Sequence, residues 1–403
     1  MKKFIGVILI FAVLFSLCSC AVKRENTAEK SDSPKLNYDY VKAVWLPYYE
    51  IGQLLSSLDE KQAKQKLSEM FKELADMGFN TVFFHARAFC DAFYKSSLFP
   101  SSEYTSASCD LLKIAVTQAH KYKLSIHAWV NPYRVALGKT LAELSASSPA
   151  KSLYLKDKSN LIILKKDIYL NPASTAAQRL ILDGIREIIE NYDVDGVHFD
   201  DYFYPASAAS CDKSLYAKYK NASGKLSLNE WRTENVNTLI SAAKLVLKTE
   251  NKNLLFGVSP QASVNTNKEK LYADVLYWIN NSFVDYICPQ IYFGFENETA
   301  PFEKTAEEWK GYCENKNVKL LCGLALYKSG KTDEYASEDK SDKASPYYEW
   351  QNKSDIISRQ VRFINKLSCN GFAVYSYQSL FSAENENIIA ENENLRAILK
   401  APM

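Results

Sequence analysis

The sequence predicts a (β/α)8 barrel, and three observations carry that expectation. Eight short, almost wholly apolar runs recur along the body, at 41–46, 79–84, 124–130, 194–199, 254–258, 284–291, 318–326 and 371–375. Longer stretches with helical spacing separate them. The connections leaving the third, fourth and seventh runs are far longer than those leading in. A run that is apolar on both faces is what a covered parallel strand shows. Alternation of such strands with helices gives a parallel sheet, and eight of them point to closure. The runner-up, a doubly wound open sheet, lacks a GxGxxG after its first strand.

The helical stretches fall at 58–77, 111–122, 175–192, 228–249, 270–280, 306–315 and 355–367. In 177–192 the residues Leu180, Ile181, Gly184, Ile185, Ile188 and Ile189 share one face, with Arg186, Glu187 and Glu190 outward. Polar or glycine-containing turns end the helices, as at Met77-Gly78. The long loops at 131–174, 201–227 and 327–353 enlarge the face where such barrels keep their active sites. Residues 161–170 within the first of them read as an extra hairpin. No second domain or internal repeat is visible, so 40–403 reads as a single domain.

Composition is that of an ordinary globular chain, with 47% hydrophobic and 24% charged residues. A net charge of +2 gives no reason to expect a nucleic-acid partner. The 26 Tyr, 20 Phe and 6 Trp fit a large core, and they also fit a cleft that stacks sugars. The count alone favours the core.

The N-terminus carries its own signal. Lys2 and Lys3 precede an apolar run from Phe4 to Leu17, and Leu17-Cys18-Ser19-Cys20 follows. This reads as a secretory leader at 1–20, too short to span a membrane comfortably. Its end fits a lipoprotein cleavage site, with Cys20 acylated; ordinary cleavage and release is the alternative. The polar stretch 21–39 reads as a flexible tether. The expected location is extracytoplasmic, with the membrane reached through the lipid anchor. The other seven cysteines form no CxxC, so neither a disulfide scaffold nor a zinc cluster is expected. Cys288 and Cys322 read as small core residues.

The chemistry gathers at strand ends. The fourth strand runs into Asp200-Asp201-Tyr202. Neighbouring residues there point in different directions, so one Asp can face the cleft while the other grips a neighbouring loop or strand. A half-buried carboxyl in an aromatic mouth has a raised pKa, which suits a general acid. Matching rim positions carry Trp45 to Glu50, His85 to Arg87, Asp91 to Tyr94, His127 to Arg134, Ser259-Pro260, Pro289 to Tyr292 and Tyr375 to Gln378. That mixture suits a neutral polyhydroxylated ligand. His85, His127 and His198 fall on separate strands and no HxH or HExxH occurs, so neither a metal nor a cofactor is expected. His120, on a helix, reads as structural.

Val44-Trp45-Leu46, Asp91 to Ser96, His127 to Arg134, Asp195 to Pro205, Trp231 to Asn237, Ser259-Pro260 and Pro289 to Tyr292 together resemble the glycosyl-hydrolase-like 10 family, in that family's order, over roughly 40–380. The resemblance implies a TIM barrel, frequent lipoprotein anchoring and a glycoside-hydrolase site. It also implies relatives that act on peptidoglycan strands stripped of their peptides. Asp195 to Tyr202 is similar as well to the Asp-Gly-x-Asp-x-Asp-x-Glu motif of family 18 chitinases. Here His198 replaces the middle Asp, and Tyr202 stands in place of the catalytic Glu.

The expected activity is hydrolysis of a polysaccharide outside the cytoplasm. Asp200 or Asp201 is the acid, and Asp91 and Glu50 are candidates for the second carboxylate. Arg87, Trp129, Asn131, Tyr133, Arg134, Tyr202, Tyr204, Gln290 and Tyr292 are the candidates for holding the sugar. A non-catalytic carbohydrate-binding lipoprotein is the alternative; it gains if Asp91 and Glu50 face away from the aspartate pair. A metal-dependent hydrolase built on the strand histidines ranks below both.

Overall fold

The computed structural model describes residues 34–106, 109–205, 211–381 and 385–400. The leader and Cys20 lie outside them. Eight parallel strands close into a barrel: β1 (Val41–Leu46), β2 (Thr81–Arg87), β3 (Ser125–Val130), β7 (Gly196–Phe199), β8 (Leu255–Val258), β9 (Tyr286–Ile287), β10 (Lys319–Leu324) and β11 (Gly371–Val374). All eight expected runs are present in order. The sixth is shorter than its apolar run because Pro289 has no N–H to give a ladder. The loop after β3 builds a separate antiparallel sheet from β4 (Arg134–Ala136), β5 (Leu161–Leu164) and β6 (Asp167–Leu170). The β5–β6 pair is the hairpin expected at 161–170.

Strand residues alternate between two cores. Val44, Leu46, Val82, Phe84, Val197, Phe199 and Val374 face the helices. Ala43, Trp45, Phe83, Trp129, Tyr286, Cys288 and Ala373 fill the barrel. The helix Thr175–Asn191 buries Ile181, Leu182, Gly184, Ile185 and Ile188 against the sheet, and Ser174 caps its start. The helix Glu60–Met77 starts with an Asp59–Gln62 capping box and stops at Gly78, whose φ of 104° suits a residue without Cβ.

The stretch read as one helix over 270–280 is two, Val264–Lys270 and Val275–Asn280, because Asp274 caps the second by accepting from the Tyr277 N–H. Helices at Tyr48–Leu55, Pro149–Lys156, Lys213–Asn221 and Glu386–Lys400 add to the expected set. In the last, buried Glu391 accepts from the backbone N–H groups of Ile357 and Ser358 and so caps the helix Ile356–Lys366.

The barrel floor is closed by the end of the polar N-terminal stretch. The Leu36 N–H donates to Asp195 at 2.7 Å, and Asn37 reaches the carbonyls of Asp195 and Asn253.

Candidate active site

The register sets the site. His198 lies opposite Trp129 on one side and Gly257 on the other, and Gly257 lies opposite Tyr286. A Cβ on Gly257 would stand 2.0 Å from the Tyr286 ring, so glycine there makes room for that ring. His198 stacks on Phe83 with centroids 4.1 Å apart. Two residues further along, in the same phase, Asp200 emerges at the C-terminal mouth.

There a cavity of about 220 Å³ is lined by Trp45, Trp129, Asp200, Tyr202, Ser259, Gln290, Tyr292, Tyr327 and Tyr375. Asp200 accepts from the backbone N–H of Asp201 at 2.9 Å and from Gln290 Nε2 at 3.3 Å. Gln290 is itself fixed by donating to the Ser259 carbonyl at 3.1 Å. The two aspartates are buried, and a hydrogen bond joins their carboxyl groups. Burial is the first cause that pushes Asp200 well above the usual carboxylate range; the Asp201 charge adds to it, and Arg134 opposes it. Burial raises Asp201 too, but hydrogen bonds from Asp200, Gln261 and Gln290 work the other way. Two adjacent carboxyls cannot both ionise cheaply, so the pair holds a proton above the usual carboxylate range, with Asp200 the member raised further.

Arg134 lies over the Tyr202 ring at 3.7 Å and 5.7 Å from the centre of Phe89. Trp129 stacks on His85 at 3.7 Å, and its buried indole N–H has no partner among the described atoms. Beyond Phe89 a second cleft of about 330 Å³ opens between the loops after β2 and β3, with Tyr48, Asp91, Tyr104 and Lys139 on its walls.

The expected site residues thus divide. Asp200, Trp129, Tyr202, Gln290 and Tyr292 share one cavity, with Asp201 and Arg134 beside it. Asp91 lines the second cleft and accepts from the Phe89 N–H and from Ser102. Glu50 lines neither cavity. It accepts from Ser376 Oγ and from the Gln378 N–H, capping the short helix Tyr377–Leu380, and burial raises its pKa to about 7. Arg87 turns outward, over Phe99 at 4.0 Å, because the β2–β3 register shifts between His85 and Arg87. Asn131 donates to the Ala88 carbonyl. Tyr133 and Tyr204 are buried in the outer core.

Tyr327, Tyr375, Trp45 and Ser259 complete the cavity. Tyr375 and Trp45 continue the inward phase of Ala373 and Ala43, a signal readable in the sequence; Tyr327 comes from a loop and had none. His127 and His198 have both ring nitrogens engaged, with Asn37, Tyr286 and Trp45. Among the described residues no three His, Cys, Asp or Glu side chains converge as metal ligands would.

A closed parallel barrel with an acid pair and aromatic rings at its C-terminal mouth defines a molecule of glycosidase type. The chain matches the model of the family described as Glycosyl hydrolase-like 10 over residues 40–340, and it belongs to that family. Glycosyl hydrolase YngK of Bacillus subtilis (strain 168) is 33% identical over 297 residues, which are 67% of this chain and 57% of YngK. This chain therefore spans little more than half the length of that relative. Glycosyl hydrolase DigH of Escherichia coli (strain K12) is 29% identical over 315 residues, 71% of each chain. Among solved structures, the PgaB (BpsB) glycoside hydrolase domain from Bordetella bronchiseptica shares the fold with a TM-score of 0.57 at 11% identity, covering 91% of this chain and 100% of that one. The catalytic domain of β-amylase from Paenibacillus polymyxa does so with 0.56 at 9% identity, covering 92% and 100%.

Proposed function

We propose that this protein hydrolyses glycosidic bonds of a cell-envelope polysaccharide outside the cytoplasm, with peptide-stripped peptidoglycan strands as the leading substrate. One observation carries the reading: Asp200, whose carboxyl is pushed well above the usual range by burial and by the Asp201 charge, lines an aromatic-walled cavity at the barrel mouth. A glycosidase needs a carboxylic acid there to protonate the leaving oxygen. Trp129, Tyr202 and Tyr292 offer faces and hydroxyls to a sugar, and Gln290 holds the acid in place. The second cleft, beyond Phe89, gives neighbouring sugars of a polymer a place to lie. The secretory-type leader ending at Cys20 supports an extracytoplasmic, lipid-anchored location. The names of YngK and DigH support the reaction class.

A binding-only protein is the second reading, favoured by the positions of Glu50 and Asp91 away from the cavity. Incubation of the mature protein with intact and peptide-stripped peptidoglycan, with mass analysis of the soluble products, separates the two. Release of glycan fragments from the stripped material supports the hydrolase. Binding without release supports the second reading.

A further inference from the structure

We infer that the nucleophile of this site is supplied by the substrate: the sugar at Asp200 carries a 2-acetamido group whose carbonyl oxygen attacks its own anomeric carbon. The inference rests on the hydrolase reading above and deepens it.

Among the described residues Asp200 is the one carboxylate lining the cavity. Retaining and inverting glycosidases of the usual kind place a second carboxylate across the sugar, as nucleophile or as base. The two other expected acids are engaged elsewhere, Glu50 by Ser376 and Gln378, and Asp91 by Phe89 and Ser102. Asp201 adjoins Asp200 in the chain and is hydrogen-bonded to it, so it stands on the acid's side of the sugar and cannot activate a water on the opposite face. Burial pushes the phenols of Tyr292, Tyr327 and Tyr375 up, so none is a ready phenolate. His85 accepts from the Tyr48 N–H at Nδ1, which puts its proton on Nε2 and leaves it no free lone pair.

Hydrolysis assisted by a substrate acetamido group is an exception to the pair of flanking carboxylates; it calls for an acid and a neighbouring negative charge, with no second carboxylate across the sugar. The Asp200–Asp201 pair supplies both. Trp129 lines the same cavity, and its buried indole N–H has no partner among the described atoms. In the first step Asp200 gives its proton to the glycosidic oxygen as the C1–O bond breaks, and the acetamido oxygen bonds to C1. The resulting oxazolinium cation faces the now anionic pair. In the second step water attacks C1, the C1–acetamido bond breaks, and Asp200 takes the water's proton. The anomeric configuration is retained.

The test uses peptide-stripped peptidoglycan strands, the same strands after chemical de-N-acetylation, and those strands re-N-acetylated. Cleavage should fall at least 100-fold on de-N-acetylation and return on re-acetylation. Proton NMR of the first product should show the anomeric configuration of the substrate. Cleavage of the de-N-acetylated strands within tenfold of the native ones, or an inverted product, overturns this inference and leaves the hydrolase reading standing. No cleavage of any of the three overturns both.

Discussion

The indole N–H of Trp45 donates to Nε2 of His198 at 3.2 Å, and this bond fixes the protonation of every group beneath it along the barrel axis. Indole nitrogen only donates, so His198 carries its proton on Nδ1 and gives it to Tyr286, 3.1 Å away. Tyr286 then donates to His127 Nδ1 at 2.8 Å, and His127 Nε2 donates to Asn37 at 3.2 Å. Both imidazoles are neutral, and each member of the string is satisfied. The string ends at the cavity wall, where Trp45 stands with Asp200.

Trp45→Phe keeps an aromatic ring against Phe83 but removes the donor. It leaves a buried imidazole nitrogen unpaired, which costs about 1–3 kcal/mol. Urea unfolding should show that loss with an unchanged m-value.

Burial lowers the pKa of His127 to about 4, against an ordinary value of 6.5, and lowers His198 well below its own. The folded state prefers the neutral ring, while the unfolded chain takes up a proton below about pH 6.5. The contribution of His127 is therefore complete above pH 6.5 and declines as pH falls towards 4, by about 3 kcal/mol over the window. Glu50, raised to about 7, titrates in the opposite sense and masks this in the wild type. Unfolding free energies of wild type and His127→Phe should therefore be compared at pH 7, 5.5 and 4.5. Their difference should shrink as pH falls; a constant difference would contradict the neutral string.

Arg134 opposes the upward shift of Asp200. In Arg134→Met the Asp200 pKa should rise further, and the alkaline limb of the pH–rate profile should move to higher pH. Arg134→Lys keeps the charge and should leave that limb closer to wild type, although an ammonium lacks the planar face that stacks on Tyr202.

Arg232 grips Asp212 through two bonds of 2.6 and 2.7 Å, both residues buried, and also reaches Tyr272. Arg232→Met strands a buried carboxylate and should cost about 3–5 kcal/mol in a thermal or urea melt. Asp212→Asn, which keeps the shape, should cost less.

The barrel was legible because its strands are covered on both faces, and a run such as 194–199 has little other use. Elements with weak burial were not. The helix Lys213–Asn221 buries no residue, so it leaves no apolar period to read. The site was legible where strand phase continues into the mouth. His198 to Asp200 and Pro289 to Tyr292 were found this way. It failed where backbone geometry intervenes: the register shift after His85 sends Arg87 into the helix layer, against Phe99 and beneath Gly184. Glu50 was misleading because a carboxylate that caps a helix and one that does chemistry read alike in sequence.

The most direct measurement of the central claim is the rate of reducing-end release from peptide-stripped peptidoglycan by wild type and by Asp200→Asn, with both proteins shown to be folded. Loss of a general acid costs about 10² to 10⁴ in rate, so the variant should fall at least 100-fold while still binding the strands. Release by Asp200→Asn within a few-fold of wild type would contradict the assignment of the acid.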